Sequence, residues 1–126
     1  MTNSIICTRA FAFAVRVVKL CDRMATGGFG ARHIAGQLIR CGTSIGANAE
    51  EAQEAQSKAD YTAKMCISRK ESRESSFWLR LAIATFAVKA DDVEWELKEA
   101  NELRYMIRAA IRTARSSSDR SGKRSP

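Results

Sequence analysis

The sequence predicts an all-α fold, an antiparallel up-down-up-down four-helix bundle, and three observations carry that prediction. The chain has 126 residues, enough for one domain with a core of its own, and one proline and seven glycines leave long segments uninterrupted. Alanine, leucine, arginine, glutamate and lysine are plentiful, while β-branched runs and strand-like alternation are scarce. Four segments repeat apolar residues in steps of three and four, and four amphipathic helices on short links cover one another's apolar faces most simply as such a bundle.

The first helix spans about residues 4–26, where Ile6, Ala10, Phe13, Val17, Leu20 and Met24 keep the four-three alternation and Phe11, Val15 and Val18 widen the apolar face. It stops at TGGFG, where Gly27 and Gly28 are free to take the left-handed conformation that ends helices. The second, about 31–56, places Ile34, Leu38, Cys41, Ile45, Asn48, Ala52 and Ala55 in one row. A polar residue such as Asn48 in that seam costs stability and fixes register, and Gly42, Gly46, Ala47, Ala49 and Ala52 allow close helix approach.

Ser57 and Asp60 in SKAD form the next helix start, Ser57 as cap and Asp60 as the first-turn carboxylate. The third helix, about 58–88, carries two rows. One is Tyr61, Met65, Ser68, Ser72, Ser75, Leu79, Ala82 and Phe86; the other is Ile67, Glu71, Glu74, Trp78 and Leu81. Two half-buried faces suit a helix that packs within a subunit and against a neighbouring one. In the fourth helix Asp91, Asp92, Glu94 and Glu96 at the start and Arg104, Arg108, Arg112 and Arg115 toward the end match the helix dipole. Val93, Leu97, Ala100, Ile107, Ile111 and Ala114 hold its apolar period, so the bundle is expected over 1–115 and a disordered basic tail over 116–126.

The net charge is +7, of which residues 112–126 contribute +4 through Arg112, Arg115, Arg120, Lys123 and Arg124 against Asp119, leaving a mildly basic body. Such a distribution suits polyanions. Cys7, Cys21, Cys41 and Cys66 stand apart in apolar helical surroundings without CxxC pairs, which reads as free thiols in a reducing cytoplasm rather than a disulfide framework or a zinc site. The N-terminal SIICTRAFAFAVRVVKL is broken by Arg9, Arg16 and Lys19, so no secretion signal and no membrane span is expected.

QLIRCGTSIGANAEEAQEAQSKADYTAKM, KESRESSFWLRL and LKEANELRYMIRAAIRTAR, in that order and spacing, resemble the bacterial four-helix bundle proteins related to those encoded in intervening sequences of 23S rRNA genes. The resemblance covers most of 5–115. It implies a cytoplasmic bundle assembled as a ring-like homopentamer, in a family that includes the nucleic-acid- and reverse-transcriptase-binding accessory protein of diversity-generating retroelements. Asn48, Glu51, Glu71, Glu74 and Trp78 match the family pattern, which implies structural or interface roles. Ala49 and Glu50 depart from it, standing where aromatic and basic residues are expected.

Glu51, Glu54, Glu71 and Glu74 raise the alternative of a dimetal carboxylate enzyme. Such centres add Glu-x-x-His pairs, and the single histidine, His33, has no such glutamate before it, so the carboxylates are expected to pair with Arg40, Arg69, Arg73 or Arg80. No Gly-rich phosphate loop, nucleophile-base set or cofactor signature is present, so neither a catalytic site nor a cofactor is expected. Arg69, Arg73 and Arg80 on one helical face with Lys70 beside it, together with Arg112, Arg115 and the tail cations Arg120, Lys123 and Arg124, are the candidate nucleic-acid contacts. The expected function is a non-enzymatic oligomeric scaffold that associates with RNA or DNA with little sequence preference. The alternative is a protein-binding adaptor, for instance for a reverse transcriptase.

Overall fold

The computed structural model describes residues 4–124, with side chains described over 5–117. Four helices, α1 (Ser4–Met24), α2 (Phe29–Gln53), α3 (Lys58–Ala84) and α4 (Glu94–Arg124), account for most of the chain, and a 3-10 turn (Ala90–Val93) leads into α4. No strand occurs among the described residues. Each helix packs on its neighbours in sequence and α4 returns against α1, which makes a four-helix bundle. The tail expected from 116 falls largely on residues whose side chains lie outside the described part; the backbone of α4 is helical to Arg124.

The α1 row Ile6, Ala10, Phe13, Val17, Leu20 and Met24 is buried throughout, as its spacing requires. Phe11, Val15 and Val18 do not widen that face. They stand on the opposite side, with Phe11 64% exposed. On α2 the inward row is Ile34, Leu38, Cys41, Ile45, Ala49 and Ala52, so the seam passes through Ala49 instead of Asn48. Gly42 and Gly46 are buried, and a Cβ at Gly42 would stand 2.8 Å from Val17 Cγ1, while one at Gly46 would stand 3.4 Å from Ala10 Cβ. The glycines therefore set how closely α1 and α2 approach.

The helix ends correct several sequence-based expectations. No described glycine has a positive φ; Gly28 (φ −75°, ψ −172°) is instead the N-cap of α2, and α1 already stops at Met24. Ser57 does cap α3, its Oγ accepting from the Asp60 amide at 3.0 Å. α3 ends at Ala84 rather than near 88, because Phe86 takes φ 62° and the amides of Ala87 and Val88 turn back to the Ala82 carbonyl at 2.9 and 3.3 Å. That is a Schellman-type end with a phenylalanine where glycine is usual. Phe86 is 92% exposed, so it leaves the core row expected for it.

Two substitutions test these packing statements by denaturant midpoint. Gly42→Ala places a methyl group into the fully buried Val17 and is expected to destabilise by about 1–2 kcal/mol, overpacking outweighing the helix-propensity gain. Phe86→Gly is expected to stabilise by up to about 1 kcal/mol, since it relieves a left-handed non-glycine residue whose side chain packs on little.

Candidate nucleic-acid interface

The residues that could act chemically are concentrated on α3, and its helical period sorts them into three faces. The inward face is small: Met65, Ser68, Ser72, Ser75, Leu79 and Ala82 are buried. Its hydroxyls are satisfied by backbone, Ser68 Oγ donating to the Ile45 carbonyl of α2 at 2.8 Å, Ser72 Oγ to the Arg69 carbonyl at 2.6 Å and Ser75 Oγ to the Glu71 carbonyl at 2.8 Å. Ser75 Oγ also lies 3.3 Å from Cys41 Sγ.

The face toward α2 is acidic. Arg40 of α2 bonds Glu74 through Nη2 and lies 3.7 Å from Glu71 Oε2 through Nη1. Burial, and then the neighbouring Glu74, push the Glu71 carboxyl above its ordinary range. Trp78 Nε1 donates to Glu74 Oε2 at 3.4 Å, and the half-buried Trp78 ring meets Phe77 and His33 edge-on at 5.0 and 5.8 Å. Glu51 pairs with Lys64 of α3 at 2.9 Å. Asn48 is half-buried and donates to the Ser44 carbonyl of its own helix at 2.9 Å.

The face toward α4 is basic. Arg69, Lys70 and Arg73 of α3 and Arg104 and Arg108 of α4 line a cleft of about 520 Å³ whose remaining lining residue is Cys66. None of these lining residues is acidic; the carboxylates nearest in sequence are Glu71 and Glu74 on α3, which meet Arg40, and Glu102 on α4, which lies 3.9 Å from Arg9. Arg104 Nε is buried without a hydrogen-bond acceptor. Five cations sharing one cleft without counter-charge in its walls raise the local potential and favour an anion. Arg115, exposed and outside the lining, has its Nη2 3.8 Å from Cys66 Sγ.

The structure thus keeps Arg69 and Arg73 together with the neighbouring Lys70 and adds Arg104 and Arg108 of α4, which the sequence pattern alone assigns to the helix dipole. Arg80 is not part of the cleft; its guanidinium lies 5.9 Å from the Phe77 ring. Arg112 is exposed on α4, and Arg120, Lys123 and Arg124 lie outside the described side chains. A second charged seam, between α1 and α4, is not among the sequence-based expectations. Arg9 grips Glu99 at 2.6 and 2.8 Å, and Arg16 reaches Glu96 at 3.3 Å while lying 4.5 Å over Trp95. The signal was Arg9 and Arg16 seven apart on α1 and Glu96 and Glu99 three apart on α4, each pair on one helical face.

Among the described residues no group of three or more His, Cys, Asp or Glu side chains comes together to hold a metal, and no helix is long and apolar enough to cross a membrane. All four cysteines are free, and burial, helped by the neighbouring Cys41, pushes the Cys21 thiol up to about 12.

The raised Glu71 carboxyl makes a signed prediction. Folding favours its protonated form, so its contribution to stability is fully present below the ordinary carboxyl range and is lost as pH rises through the raised value. Glu71→Gln removes that loss. Urea titrations at several pH values between about 4 and 7 should show the variant gaining on the wild type as pH rises.

A crystal structure of a protein of unknown function from the S23 ribosomal protein family of Bacteroides thetaiotaomicron VPI-5482 superposes with a TM-score of 0.78 at 32% identity, over 84% of this chain and 97% of that one. No curated protein matches the chain. The 23S rRNA-intervening sequence protein model matches residues 2–109, nearly the whole bundle from α1 to the arginine-bearing turns of α4, and the chain belongs to that family.

Proposed function

We propose that the protein is a non-enzymatic, oligomeric scaffold that holds nucleic acid by its phosphates, and that the α3–α4 cleft is where it does so. The observation that carries this reading is the convergence of Arg69, Lys70, Arg73, Arg104 and Arg108 with no carboxylate in the lining. Arginine and lysine presented together neutralise phosphates without reading bases, which accounts for binding with little sequence preference. The absence of a nucleophile-base set in the sequence supports a binding role over a catalytic one.

An antiparallel up-down-up-down arrangement underlies the proposal. It is supported by residue pairs that run in opposite order along adjacent helices: Ala10 and Val17 beside Gly46 and Gly42, Ser68 and Ser75 beside Ile45 and Cys41, Arg9 and Arg16 beside Glu99 and Glu96. Self-assembly, as a ring of five in the reading adopted here, is supported by apolar surface that one bundle leaves uncovered. Phe11, Val15 and Val18 form one such ridge on α1, and Ile67 beside the half-buried Trp78 and Leu81 forms another on α3. Two different patches on one chain suit head-to-tail contacts, which close into rings. The same ridges favour the second reading, a protein-binding adaptor, if the partner is another protein.

Light scattering at micromolar concentration should give a mass several times that of the chain; a stable monomer would remove the oligomeric part of the proposal. For the cleft, fluorescence anisotropy across a salt series is decisive. Unrelated oligonucleotide sequences should bind with similar strength. Replacing Arg69, Arg73 and Arg104 together by Gln should reduce the log–log salt slope by roughly 2–3, at about 0.7–0.9 per lost contact. Arg80→Gln, outside the cleft, should change the slope far less. No binding to any sequence at low ionic strength would leave the adaptor reading.

A further inference from the structure

Which form of nucleic acid fits the cleft follows from what stands on its rims. On α3, Lys70, Arg73 and Phe77 follow one another at spacings of three and four, and on α4, Tyr105, Arg108 and Arg112 do the same, so each basic row carries one aromatic residue on the same helical face. Both rings are open to solvent, Phe77 to 46% and Tyr105 to 61%. Each already has a guanidinium nearby, Arg80 at 5.9 Å from the Phe77 centroid and Arg104 at 5.9 Å from that of Tyr105. Neither ring belongs to the buried core: Tyr105 stands next to the cleft's Arg104, and Phe77, which touches the bundle through Trp78, lies one turn beyond Arg73 on its row with much of its ring left open.

Resting on the reading that the cleft binds phosphates, we infer that it is a single-strand groove, in which one phosphodiester backbone runs between α3 and α4 and unpaired bases stack on Tyr105 and Phe77. The arginines converge inward on one cleft of about 520 Å³, room for a short run of one backbone. A duplex presents its phosphates as two rows flanking a groove and keeps its base faces stacked on one another, so it would leave both rings idle and reach the inner cations poorly. A single strand places its phosphates along one line and offers a base face to any aromatic beside it, the combination of charged groove and stacking platform that single-strand binders use. Successive cations on one helix, four residues apart, stand about 6 Å apart along the axis, close to the step between neighbouring phosphates of an extended strand. Stacking is indifferent to base identity, which keeps sequence preference weak.

The test is anisotropy of the full chain with a labelled RNA of roughly 12 nucleotides, single-stranded and annealed to its complement, at one fixed low salt concentration. The single strand should bind at least about tenfold more tightly than the duplex. Tyr105→Ala, at an exposed position, should weaken single-strand binding about fivefold or more and leave duplex binding and the circular dichroism spectrum unchanged. Phe77→Leu, which keeps an apolar neighbour for Trp78, should act in the same direction. Equal or tighter duplex binding, or single-strand binding indifferent to both aromatic variants, overturns the inference. If in that case Arg104→Gln still weakens both forms, the phosphate-binding cleft survives and only the choice of strand falls; if the wild type binds neither form, both readings fall together.

Discussion

Small side chains where helices meet are the constraint on which the rest of this structure depends. α2 lies between two neighbours and meets each with little bulk: Gly42 takes the Val17 side chain of α1, and Ser68 of α3 reaches the Ile45 carbonyl directly. Because α3 packs through serines and an alanine, with only Met65 and Leu79 as larger inward groups, its bulky and charged residues are pushed to its flanks. A leucine-rich inward face would have covered those flanks by spreading the helices apart. The serines cost little in this setting, since each hydroxyl finds a backbone carbonyl.

Once the inward face is fixed, the charges separate by helical angle alone. KESRESSFWLR alternates acid and base in sequence, yet Glu71 and Glu74 fall toward Arg40 while Arg69, Lys70 and Arg73 fall toward Arg104 and Arg108. The two sides then differ in kind. On the α2 side each carboxylate has a cation beside it, Arg40 shared by Glu71 and Glu74 and Lys64 meeting Glu51, and Glu71 is buried deeply enough for its proton to be held more tightly. On the α4 side like charges are assembled with no carboxylate among the lining residues. The α1–α4 seam shows that the chain can pair cations where structure requires it, since Arg9 and Arg16 both find buried glutamates. What sets the cleft cations apart is that five of them share one site.

Much of the bundle was readable from the sequence, because apolar period and small-residue placement are local properties of each helix. The inward rows of α1 and α3 and the Ser57 cap emerged nearly residue by residue. The misreadings share a cause. Phe11, Val15 and Val18 are apolar, and a single helix cannot say whether apolar residues off its core row meet a second neighbour or stand bare; only the position of the other helices decides. Asn48 and Ala49 differ by one residue and 100° of helix, too fine a distinction for a period drawn over twenty residues. Phe86 ends α3 in a conformation that its residue type does not announce. For the site, Arg69 and Arg73 were legible as a face, whereas Arg104 and Arg108 had been assigned to the helix dipole. Their meeting across α3 and α4 is a tertiary fact, as are Arg9 with Glu99 and Arg16 with Glu96.

The central claim is the division between Arg9, Arg16 and Arg40, held by internal glutamates, and the cleft arginines, which we propose meet phosphate. Arginine side-chain NMR reads that division directly, because each Nε–Hε group reports its own hydrogen-bond partner. On titration with a short single-stranded oligonucleotide, the Nε–Hε signals of Arg69, Arg73, Arg104 and Arg108 should shift together in proportion to binding, while those of Arg9, Arg16 and Arg40 stay in place. Shifts confined to arginines outside the cleft, or spread evenly over all of them, would contradict the account.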